Sequence, residues 1–200
     1  MRFHLTYAGA LYGSSTSSPR ARHKQEIRKL FHPQLKRLWE NTWLGEANYG
    51  IWSSEQTVAR DAPLNEALAS LHRRGNYRYV PLVREQFSLA CSLDILFLRP
   101  DVPGGLIQSA DIDNRLKTLF DALRMPGNDG ELGGYDVPAA TEDPFYCLLE
   151  DDRLISHVSV TTDMLLEPIN EQPHDARVVI DVKVTPQRAT MFNMSFVGGS

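Results

Sequence analysis

The chain has 200 residues, 42% hydrophobic and 23% charged, with a formal net charge of −4. These proportions are those of one globular domain large enough to bury a core, and they exclude a low-complexity chain. No run of about 18 apolar residues is present, so no transmembrane helix and no membrane partner are expected. Its two cysteines are too few for a disulfide framework or a zinc site and fit a reduced, cytoplasmic setting.

Arg2 to Tyr7 alternates, with Phe3, Leu5 and Tyr7 on one side. This predicts a strand, not the apolar segment of a signal peptide. Gly9 to Ser18 is small and polar. Pro19 then opens a helix predicted from Arg20 to about Trp39, with Ile27, Leu30, Phe31, Leu35, Leu38 and Trp39 facing inward. Pro33 should kink or split it. Seven bases against one acid, Glu26, give residues 19–37 a net +6. With the bases facing out, Arg20, Arg22, Lys24, Arg28 and Lys29 are candidates for gripping a nucleic-acid backbone.

Residues 41–51 read as a loop, with Trp43, Tyr49 and Trp52 as core or lid residues, and 63–73 as a short helix. Arg73, Arg74, Arg78 and Arg84, interleaved with Tyr77 and Tyr79, read as a strand edge. Phe87 to Leu98 alternates most clearly, with Cys91 a core thiol on its apolar side, and prolines and glycines follow it. A helix is predicted from about Asp111 to Arg124. Residues 125–149 lack periodicity and read as a long functional or disordered loop. Between Asp129 and Asp152 stand eight acids and no Lys or Arg. Strands are predicted over 154–161 and 177–185, and the tail from Pro186 is expected to be partly mobile. The order β, α, α, β, α, β, β implies a single α+β domain over residues 1–200. A mixed or antiparallel sheet would have helices packed mainly on one face.

Asp111-Ile112-Asp113-Asn114-Arg115-Leu116-Lys117 concentrates the chemistry. Ile112, Leu116, Leu119, Phe120 and Leu123 form one helical stripe, and Asp113, Lys117 and Asp121 share another face one turn apart. Acids at a helix start with a lysine one turn on suit a divalent cation held beside a phosphate. They equally suit a capped surface helix with an Asp–Lys pair, and Asn114 is as much a helix-start hydrogen-bonder as an orienting group.

Three features in order point further: Asp-Ile-Asp-Asn-x-x-Lys, counted from Asp111 to Lys117; the helix end Asp121-Ala122-Leu123; and the turn Asp151-Asp152-Arg153-Leu154-Ile155 leading into a strand. Together they resemble the RusA-type Holliday junction resolvases over residues 87–185. The resemblance implies a RusA-like α+β homodimer that cleaves branched DNA with Mg²⁺ or Mn²⁺. It implies Asp111, Asp113 and Asp152 as essential carboxylates, Lys117 as the functional lysine, and Asp151 as an outer or alternative ligand. Oxygen ligands suit these hard cations. The long segment before Asp151 would rim the site, with Glu142 or Asp143 as a possible additional acid. The alternatives are a nuclease of this kind acting on another nucleic acid, a non-catalytic nucleic-acid-binding or regulatory protein, and a protein-interaction module using the acidic loop.

Overall fold

The computed structural model describes residues 1–14, 17–48, 61–100, 111–167, 169–170, 172–190 and 193–196; the side chains of Ser18 and Asp111 lie outside that set. A four-stranded mixed sheet holds β1 (Arg2–Ala10), β7 (Asp175–Pro186), β4 (Leu89–Arg99) and β6 (Ile155–Met164), in that order. β7 runs antiparallel to both β1 and β4, and β6 runs parallel to β4. A second, three-stranded sheet holds β2 (Arg73–Arg74), β3 (Tyr77–Val83) and β5 (Phe145–Leu149), with β3 and β5 parallel. Three α-helices complete the described chain: α1 (Ser18–Glu40), α2 (Leu64–Leu71) and α3 (Asp111–Leu123). The α+β class is therefore as expected. No helix among the described residues is long and apolar enough to cross a membrane.

Alternation divides the large sheet into two faces. Leu5 and Tyr7 of β1, Val178, Ile180 and Val182 of β7, and Leu93, Ile95 and Phe97 of β4 are buried in one core. Their neighbours His4, Asp94, Leu96, Arg177 and Lys183 are exposed on the other face. One face packed and one face wet is the usual state of a sheet with antiparallel pairs. α1 brings Ile27, Phe31, Leu35 and Trp39 to the core, and α3 brings Leu119 and Leu123, with Leu116 and Phe120 partly buried.

The structure refines four expectations. α1 is not split but is one continuous helix through Pro33, which lies on its exposed side; there, water can satisfy the carbonyl that loses its partner. The segment 125–149 is not an unstructured loop. It carries short 3-10 turns at Asp129–Leu132 and Ala140–Glu142 and ends in β5. Every residue of β5 is buried, so both of its faces are covered and no alternation marks it. β3 was likewise hidden as a strand edge, although Tyr77 and Tyr79 are fully buried. The tail is packed at least at 193–196: Phe196 is buried and meets Trp43 edge-on with ring centroids 5.0 Å apart. Tyr49 and Trp52 lie outside the described residues. Cys91 and Cys147 are buried free thiols, and burial pushes Cys91 up to about 12, so neither is a nucleophile.

Candidate functional site

The first turn of α3 is fixed from two sides. Ile112 is buried beneath it, and the Asn114 carbonyl accepts the Ser14 backbone N–H at 2.9 Å and the Thr118 hydroxyl at 3.3 Å. Arg115 is buried, with Nη2 3.2 Å from Nδ1 of His174. Asp113 and Lys117 face outward and are exposed, one turn apart. Neither side chain has a hydrogen bond or ion pair among the described residues. Asp111 is the first residue of the helix.

Sequence reasoning missed the neighbours of this turn. The Ser14 contact brings Tyr12 close, and Tyr12 sits between the rings of His23 and His174, at 4.8 and 5.0 Å. The Arg20 guanidinium lies 4.6 Å over the same ring. These histidines stand 151 positions apart in sequence, and no local spacing announces their meeting.

Asp151 and Asp152 lie elsewhere. Leu149 pairs with Arg124 just past the end of α3, and its carbonyl accepts the Met125 N–H at 2.9 Å. The next residues turn under this end: Asp151 caps the 3-10 turn Asp152–Leu154 by accepting the Arg153 N–H at 3.0 Å. Asp152 is exposed; burial would lower the pKa of Arg124, but Glu131, Asp121 and, least of these, the charge of Asp152 hold it above its ordinary value. Arg124 is 11 residues from Asp113, about 16 Å along a helix at 1.5 Å per residue. The strands agree with this placement. Ile155 pairs with Cys91 near the start of β4, whereas Ser14, which meets Asn114, follows the end of β1 at Ala10, beside the start of β7 and so toward the end of β4. Asp113 and Lys117 are thus together, and Asp152 is at the opposite end of the helix. Among the described residues no three His, Cys, Asp or Glu side chains gather as a metal site.

The expectation that the bases of α1 point outward needs correction. Arg28 is 1% exposed. Its Nε donates to the Arg124 carbonyl at 3.0 Å, its Nη2 to the Asp121 carbonyl at 2.6 Å, and its Nη1 to the Glu131 carbonyl at 3.3 Å. Burial lowers its pKa, yet so basic a group keeps its proton. Lys24 reaches the Asp121 carboxylate at 2.6 Å and Lys29 that of Glu142 at 3.0 Å. Arg22 is exposed but pairs with Glu26 at 3.3 Å. Arg20 alone of the five has no ion pair among the described residues. The acids proposed for the site rim are also engaged, Glu142 by Lys29 and Asp143 by Arg78 at 2.8 Å. Two ion pairs, Arg28–Glu131 and Lys29–Glu142, therefore join the basic and acidic segments within the fold. The sequence did hold a signal for Arg28. It stands 3, 7 and 11 positions before Phe31, Leu35 and Trp39, on the buried stripe.

Gly133 lets the two segments meet. Its φ is +61°, and a Cβ there would lie 2.2 Å from the backbone nitrogen of Arg22. Only glycine admits both that backbone and that approach. Burial alone would raise Glu131, but its bonds with Arg124 outweigh this and hold it below the usual carboxylate range.

Comparison with protein families, with characterised proteins and with solved structures finds no match.

Proposed function

We propose that this protein is a metal-dependent endonuclease that hydrolyses phosphodiester bonds of branched DNA, acting as a homodimer. The observation that carries the proposal is the exposed pair Asp113 and Lys117, whose side chains have no partner among the described residues although Asp121, one turn further along α3, is paired with Lys24 and Arg124. The ordered motifs that resemble RusA-type resolvases give the pair its chemical meaning.

The residues fit a divalent cation by their chemistry. Carboxylates at positions 111 and 113 are hard oxygen donors, and Asp113 has no internal partner to give up. Mg²⁺ or Mn²⁺ bound there would polarise the scissile phosphate and lower the pKa of an attacking water. Asp111 and Asp113 would hold the ion, and Lys117 would stabilise the charge that develops on the phosphate. Arg115, anchored against His174, keeps the turn in place. Asp152 stands apart from this group, so the proposal rests on Asp111, Asp113 and Lys117.

The test is incubation of the protein with a synthetic four-way junction and Mg²⁺ or Mn²⁺. Metal-dependent strand cleavage is expected, and no cleavage in either metal would sink the proposal. The neutralised face of α1 favours a second reading, the same hydrolysis on another nucleic acid. A panel of flaps, single strands and RNA separates the two by which substrate is cut fastest.

A further inference from the structure

The two edges of the large sheet are treated differently. β1 is guarded: the Thr6 N–H donates to Oε1 of Gln34 at 3.0 Å, and the Thr6 carbonyl accepts from Nε2 of Gln34 at 2.8 Å. β6 is the other edge, and among the described residues nothing pairs with its outer side. Its ten residues, ISHVSVTTDM, contain no Lys, Arg or Pro. A long edge without such residues is a template for another strand.

The outward groups can be assigned. The Leu165 N–H donates inward to the Arg99 carbonyl at 2.7 Å. By alternation, the N–H and C=O groups of Val158, Val160 and Thr162 point outward. The same three residues share the core-facing side with their β4 partners Leu93, Ile95 and Phe97. Val160 packs against that core, yet Val158 is 39% exposed, so the layer over the core thins out along this strand.

We propose that β6 pairs antiparallel with β6 of a second copy of this chain about a two-fold axis through Val160. In that register Val160 opposes its equivalent and Val158 opposes Thr162. These hydrogen-bonded pairs supply about six N–H···O bonds, two for each. On the open face Ser159 opposes Thr161 and His157 opposes Asp163, so hydroxyl meets hydroxyl and imidazole meets carboxylate on both sides of the axis. The interface is self-complementary, as a two-fold requires, and removes the open edge. It names the surface for the pairing of protomers in the nuclease reading, but rests on β6 alone.

The test uses the full chain in analytical ultracentrifugation and oxidative crosslinking. A dimer is expected. Val158→Lys should weaken it at least tenfold, with circular dichroism confirming the fold. The double variant His157→Cys/Asp163→Cys should give a disulfide-linked dimer, because opposed non-hydrogen-bonded positions lie about 4.5 Å apart at Cα. His157→Cys alone should not, and the native cysteines are buried. A monomer at every soluble concentration overturns the proposal, as does a dimer that Val158→Lys leaves intact and the cysteine pair does not crosslink. A monomer that cuts DNA in Mg²⁺ would refute the interface and leave the nuclease chemistry standing; a crosslinked dimer that cuts nothing would do the reverse.

Discussion

Two charged regions of this fold behave oppositely. Along α1, Lys24, Arg28 and Lys29 are consumed by Asp121, Glu131 and Glu142. At the start of α3, Asp113 and Lys117 remain exposed and unpaired within the described structure. The first region is a seam: it fastens the segment after α3 onto α1, and its charges are part of the fold. The second spends nothing on the fold and is free for chemistry. A high density of charge in sequence therefore marked, at Lys24, Arg28 and Lys29, charge that the fold itself uses.

The sharpest way to break this contrast is to neutralise one residue of each region. Asp113→Asn should lower metal-dependent cleavage by about 10²- to 10³-fold, while thermal unfolding stays where it is. Asp152→Asn, at the far end of α3, should cost less in the same assay. An equal loss would mean that the turn at Asp151 closes on the first turn of α3 during turnover. Arg28→Met should do the opposite of Asp113→Asn. It strips three carbonyls of their donor and leaves Glu131 with less compensation, for about 3 kcal/mol of stability measured by denaturant unfolding. Cleavage per folded molecule should be unchanged.

Acid sharpens the contrast further. Burial pulls His72 down to about 4 and lowers His32, whose Nδ1 accepts the Tyr146 N–H at 2.9 Å while its Nε2 meets the Thr141 carbonyl at 3.0 Å. Arg84 and Arg74 add to the effect at His72. Both rings are thus neutral when folded. The unfolded chain takes up its protons first, near pH 6.5. The stability these rings support is complete above that pH and is lost as the pH falls toward 4. Unfolding free energies measured across that window should decline, and His72→Gln should flatten the decline. The smallest effect concerns DNA affinity. Lys36 and Arg37 have no ion pair among the described residues. Replacing either by Ala should reduce the slope of log affinity against log salt by about 0.9 if it contacts a phosphate. Lys24→Ala should leave the slope as it was.

What was legible in sequence follows from the range of each signal. β1, β4, β7, α1 and α3 carry their period in consecutive residues, and each is found near its predicted place. β5 has no period because Phe145–Leu149 is covered on both sides. β3 is interrupted by Pro81, which pairs with Cys147. Asp113 and Lys117 sit together because helical spacing alone decides that. The meeting of Asp152 with them was never a local matter. It depends on where β5 leaves the chain, and β5 delivers Leu149 to Arg124 instead. The inward turn of Arg28 was half visible: its spacing was apolar and its chemistry was not.

The most direct measurement is paramagnetic broadening of backbone amides during a titration with Mn²⁺, which reports where the ion sits. Amides of residues 112–117 and Ser14 should broaden first, those of residues 149–153 should follow only later, and Asp113→Asn should abolish the early phase. Broadening that begins at residues 149–153, or an early phase that survives Asp113→Asn, would contradict the proposed site.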